Sequence, residues 1–85
     1  MTTVLLPSLL AAEAGGQKRF ELEARTVREA LRTLPVRDLL FDEAGELRRL
    51  VNVYVDGNDV RRGDGLETAL EPAATVRVVA AVAGG

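Results

Sequence analysis

Thr75-Val76-Arg77-Val78-Val79-Ala80-Ala81-Val82-Ala83-Gly84-Gly85 is the last stretch of the chain. Thr75 to Val82 is apolar at nearly every position, the pattern of a central strand covered on one face and sticky on the other. Its last two residues carry no side chain, so the functional group at the tip is the α-carboxylate of Gly85. With glycine at about 7% of average usage, two at a given end arise by chance in about half a percent of chains. The stretch therefore marks Gly85 as a candidate working group, with Gly84 giving it access. The competing reading is an inert end. Alternation from Val76 places Arg77, Val79 and Ala81 on the sheet face away from the helix. With Val82 and Ala83 leading to the tip, these form a candidate partner-binding strip. The bland alternative is ordinary surface valine and alanine.

Upstream, Val51-Asn52-Val53-Tyr54-Val55 alternates as a half-buried strand, and Asp56-Gly57-Asn58-Asp59 is a hairpin-turn signal before a short return strand at Val60-Arg61. Leu66, Ala69 and Leu70 fit a short helical turn before Pro72. Val4-Leu5-Leu6, stopped by Pro7, reads as a first strand. Gly15-Gly16 reads as a turn, and Phe20, Leu22 and Ala24 alternate with Arg19, Glu21 and Glu23 as a second strand. Thr26-Val27-Arg28-Glu29 has the form of a capping box, in which Glu29 reaches back to the Thr26 amide. Val27, Ala30, Leu31 and Leu34 then follow helical spacing until Pro35. Val36, Leu39, Leu40 and Phe41 fit a short helical turn, and Asp42-Glu43-Ala44-Gly45 a tight turn. The order is hairpin, helix, two strands, short turn, final strand. The expected architecture is α+β: a mixed sheet of four to five strands with one main helix on one face. The expected core is Val4, Leu6, Phe20, Leu22, Val27, Leu31, Leu34, Val53, Val55, Leu70, Val76 and Val78. Residues 1–82 are expected to form the domain and residues 83–85 a flexible tail.

Composition narrows the chemistry. The 85 residues fit one small domain. No cysteine or histidine is present, which removes disulfides, zinc sites built on those residues, and Ser-His or Cys-His catalytic pairs. Eleven basic and thirteen acidic residues are interspersed to a net charge of −2, with no basic stripe to suit nucleic acid and no membrane-seeking patch. Met1-Thr2-Thr3 lacks the basic start of a signal peptide, so a cytoplasmic location is expected. Arg62-Gly63-Asp64 spells an integrin-binding tripeptide, but in such a chain it reads as a glycine-requiring loop. Asp56, Asn58 and Asp59 lack the rest of a calcium-loop ligand set. Gly15-Gly16 lacks the context of a phosphate-binding loop. Glu21 and Glu23 lie on a strand's solvent face rather than in a catalytic pair.

Leu47 to Arg61, Leu66-Glu67-Thr68-Ala69-Leu70 and Val76 to Gly85, with Leu40 to Gly45 before the third strand, resemble the MoaD/ThiS family of sulfur carriers, nearest its CysO-like type. The resemblance implies a ubiquitin-like β-grasp fold. It also implies that an ATP-using, E1-like enzyme adenylates the Gly85 carboxylate, that a sulfur donor displaces AMP to leave a thiocarboxylate, and that an acceptor enzyme takes the sulfur for a sulfur-containing small molecule. The chain is then a protein cosubstrate and not an enzyme, with no bound cofactor. One departure is Ala80, where such carriers commonly have proline; its loss frees φ at the exit of the final strand. The rival readings are the small subunit of molybdopterin synthase, a ubiquitin-like protein modifier, and a β-grasp interaction module with an inert end.

Overall fold

Ten short elements build the chain in the computed structural model, which describes residues 1–80. Strand β1 spans Thr2–Leu5, helix α1 Ser8–Glu13, β2 Arg19–Leu22, α2 Val27–Arg32 and α3 Arg37–Leu40. Then come β3 at Val51–Val55, β4 at Asn58–Asp59, two 3₁₀ turns at Val60–Arg62 and Gly65–Glu67, and β5 at Thr75–Ala80. The five strands form one sheet in the order β2-β1-β5-β3-β4. β5 lies in its centre, parallel to β1 (Val4 opposite Val76) and antiparallel to β3 (Val53 opposite Val78). The expected mixed sheet and the central place of the final strand are both present. Ala81–Gly85 lie outside the described residues, and with them the expected boundary after residue 82.

Period-two alternation sorts the strands into two faces. Val4, Leu22, Val51, Val53, Val76 and Val78 turn inward and are buried. α2 closes this face with Val27, Ala30 and Leu31, and Leu34 follows from the turn after the helix, all fully buried. The spacing i, i+3, i+4 puts the three helical side chains on one stripe, so α2 covers the middle of the sheet and the turn carries Leu34 on to the same core. Nine of the twelve expected core residues are buried; Phe20, Val55 and Leu70 pack at its margin, half-buried. Leu10 and Ala11 from α1, Leu40 from α3, Val36 just before it, and Val60 and Leu66 from the 3₁₀ turns join the core.

Three local expectations need correction. Among the described residues the expected helix α2 is joined by two further short helices: α1 forms before the Gly15-Gly16 turn, and α3 is the turn expected near Leu39. α1 has no side-chain cap at Pro7 and no acidic first-turn residue, so no start signal announced it; burial of Leu10 and Ala11 holds it. Val60-Arg61 does not return as a strand. β4 stops at Asp59, whose Oδ1 accepts from the Arg61 amide at 2.9 Å and caps a 3₁₀ turn, and that turn buries Val60. The capping box is half made. Thr26 Oγ1 accepts from the Glu29 amide at 3.3 Å, but Glu29 Oε1 accepts from the Arg25 amide, one residue before the expected partner.

The turns match their sequence. Asp56 and Gly57 both have positive φ (48° and 89°), as the tight hairpin from β3 to β4 requires. Asp42 Oδ1 accepts from the amides of Ala44 and Glu46. Arg28 ties α2 to this turn by donating to the Gly45 carbonyl at 3.0 Å, and to the second 3₁₀ turn by donating to Glu67 at 3.4 Å.

Candidate functional site

The candidate site begins where β5 ends. Pairing on both edges fixes the strand: Arg77 lies opposite Leu5 on one side and Tyr54 on the other, and Ala80 lies opposite Val51. Arg77 and Val79 are exposed on the sheet face away from α2, as the alternation predicted. Ala81, Val82, Ala83, Gly84 and Gly85 lie outside the described residues. That open face also carries Leu5 and Tyr54, each half-buried beside Arg77. On its outer edge Glu21 accepts from Thr3 Oγ1 and from Arg19, each at 3.0 Å. The Thr3 hydrogen bond, then the Arg19 guanidinium, hold the Glu21 carboxyl below its ordinary 4.5. Among the described residues no group of three metal-ligating side chains occurs, and no helix is long and apolar enough to cross a membrane.

An apolar surface at the root of the final stretch was not foreseen. An open groove of about 620 Å³ has Ala80 at its edge. Leu9 from α1, Leu39 from α3 and Leu50 from the loop before β3 line it. Each is the first of an adjacent apolar pair whose second member is buried. Leu9 is 60% exposed beside Leu10 at 7%, Leu39 44% beside Leu40 at 0%, and Leu50 53% beside Val51 at 5%. A short helix or a strand edge buries one of two neighbours and must turn the other out. The Leu-Leu and Leu-Val doublets were the available signal; that three of them converge is a property of the fold.

The loop bearing Leu50 is braced from several sides. The Arg48 amide donates to the Leu40 carbonyl at 2.9 Å, and Arg48 Nη2 to the Asp38 carbonyl at 3.1 Å. Arg61 donates through Nη2 to the Arg48 carbonyl at 2.8 Å and through Nη1 to Asn52 Oδ1 at 2.6 Å. Arg61 thus couples the 3₁₀ turn after β4 to the loop that presents Leu50.

Residues 4–85 match the ThiS family model. The chain belongs to the ThiS family. It is 36% identical to the sulfur carrier protein CysO of Mycobacterium tuberculosis over 90 residues, covering 98% of this chain and 97% of that protein. Among solved structures it is similar to a chain of the Amycolatopsis orientalis BexX/CysO complex, with a TM-score of 0.85 and 32% identity over the whole of both chains. It is also similar to the small archaeal modifier protein 1 of Methanosarcina acetivorans, with a TM-score of 0.83 and 27% identity over 99% of this chain and 95% of that one. The fold of this ThiS-family chain is the expected ubiquitin-like β-grasp.

Proposed function

We propose that this ThiS-family chain is a sulfur carrier whose working group is the Gly85 carboxylate. One observation carries the reading: the family match runs through Gly85, and in the structure the strand leading there is the central one, held on both edges. A rigid central strand gives the residues that follow a defined point of departure, and glycine at 84 and 85 leaves no Cβ to block a narrow channel.

A carboxylate at neutral pH is a poor electrophile and must be activated. A Gly85 carboxylate oxygen attacks the α-phosphorus of ATP in an E1-like enzyme; the bond to pyrophosphate breaks and an acyl-adenylate forms. A sulfur nucleophile then adds to the acyl carbon, AMP leaves with the oxygen bound to phosphorus, and a thiocarboxylate remains. Its sulfur is delivered to a small-molecule substrate held by an acceptor enzyme. In this reading the chain is a cosubstrate and carries no catalytic side chain, works in the cytoplasm, and borrows ATP from its partner. The CysO relative seen with BexX supports a carrier that works in complex with a second protein.

The likeness to the small archaeal modifier protein favours a second reading, conjugation of Gly85 to amines of target proteins. Intact-mass measurement separates the two. After incubation with an E1-like enzyme, ATP and sulfide, the carrier reading expects one oxygen of this chain replaced by sulfur, lost again on removing Gly85. Adducts of this chain on other proteins, with no such replacement, would establish the modifier. An unchanged mass with every E1-like enzyme tried would refute both.

A further inference from the structure

The surface that meets the activating enzyme is constrained by the length of the final stretch. Five residues separate Ala80 from the Gly85 carboxylate, and five extended residues span at most about 17 Å. An enzyme that brings this carboxylate to the α-phosphate of ATP inside its own active site must therefore close down around Ala80. Whatever rims Ala80 becomes part of the contact. On the side covered by α2 that rim is the groove of Leu9, Leu39 and Leu50. These are three of the five large apolar side chains exposed among the described residues, drawn from three separate segments to one place. Isolated exposed leucines are ordinary, but three gathered by the fold beside the working strand leave a contiguous apolar patch in water, the mark of an interaction surface. The groove is also ordered in charge. Glu13 and Asp42 line it from α1 and from the turn after α3, whereas Arg48 and Arg49 line it from the loop. No carboxylate lies within ion-pair distance of either arginine among the described residues.

We infer that this groove is the docking site of the E1-like activating enzyme, which seats an apolar projection among Leu9, Leu39 and Leu50 and sets a carboxylate against Arg48 and Arg49. The inference rests on the carrier reading and adds the surface that reading lacks. It differs from the strip along Arg77 and Val79, which lies on the other face of the sheet.

The test is ATP–pyrophosphate exchange by an E1-like enzyme at increasing concentrations of the chain, for wild type and for the triple variant Leu9→Ser, Leu39→Ser, Leu50→Ser. The expected result is a KM for the chain raised at least about ten-fold, with kcat held within about two-fold. Thermal unfolding shows whether the triple variant keeps the fold. If it does not, the single variants Leu9→Ser and Leu50→Ser carry the measurement, each expected to raise KM at least about three-fold. An unchanged KM while the wild type exchanges normally overturns the docking site and leaves the carrier reading standing. An unchanged KM with slower sulfur delivery to an acceptor enzyme also overturns it, reassigning the groove to the acceptor. Absence of exchange for the wild type with every E1-like enzyme refutes the carrier reading and the docking site with it.

Discussion

The Arg61 guanidinium donates to Asn52 Oδ1 at 2.6 Å, joining the turn after β4 to the start of β3. Its other nitrogen reaches the Arg48 carbonyl, so one side chain holds both the strand and the loop that leads into it. Arg61→Ala should lower stability by about 1 kcal/mol in urea unfolding. The bonds are charge-assisted but exposed, which places them at the weak end of their class. Arg61→Lys, which loses the two-pronged geometry, should recover only part of that loss.

Thr26 caps α2 through its hydroxyl, and the Glu29 amide loses its partner without it. Thr26→Ala should cost about 1 kcal/mol. Thr26→Ser should fall close to wild type in the same denaturant titration. Equal losses for both would show that the methyl, not the hydroxyl, matters.

Ala73 has φ of 69°, the second central residue of a turn begun by Pro72 and closed by the Ala74 amide on the Glu71 carbonyl at 3.0 Å. That position of a type II turn favours glycine, since a Cβ there costs on the order of 1 kcal/mol. Ala73→Gly should therefore stabilise the chain by about 0.5 kcal/mol, the strain relief being partly offset by the greater entropy of an unfolded glycine. A lower melting temperature would contradict this.

Glu21 supplies the pH dependence. Its folded carboxyl titrates below the ordinary 4.5, chiefly because Thr3 Oγ1 donates to it and secondarily because of Arg19. A depressed acid contributes stability that is present above its unfolded value and lost as pH falls through the folded one. The stability gap between wild type and Glu21→Gln should thus be widest near neutrality and close on acidification. Because Glu21 is exposed the gap is small, and adding salt should shrink it further. A gap independent of pH would mean that neutral packing sets it.

Removing Gly84 and Gly85 should abolish pyrophosphate exchange while leaving the melting temperature unchanged. Among the described residues the buried core cluster runs from Val4 to Val78, and a glycine has no side chain to add to it. A substantial drop in melting temperature would make the final stretch a structural element instead of a working one.

Much of this molecule was legible locally. The alternation of β3 and β5, the helical stripe of α2 with its Thr26 cap, and the Asp56-Gly57 hairpin are each written in contiguous residues, because strand and helix periods and turn chemistry act over a few positions. The same locality explains the misses. α1 carries no cap and was held by burial alone, and Asp59 diverted the chain into a 3₁₀ turn by a bond to an amide two residues on.

The sequence by itself determined the fold class, the central final strand and the candidate carboxylate at Gly85, because periodicity and glycine chemistry depend on neighbours along the chain. Tertiary structure alone decided which leucine of each doublet faces water, and that Leu9, Leu39 and Leu50 meet at Ala80. Such convergence depends on sheet order and on how loops close between distant segments, and no local pattern encodes it. The outward residue of a doublet is settled only when its partner finds the core.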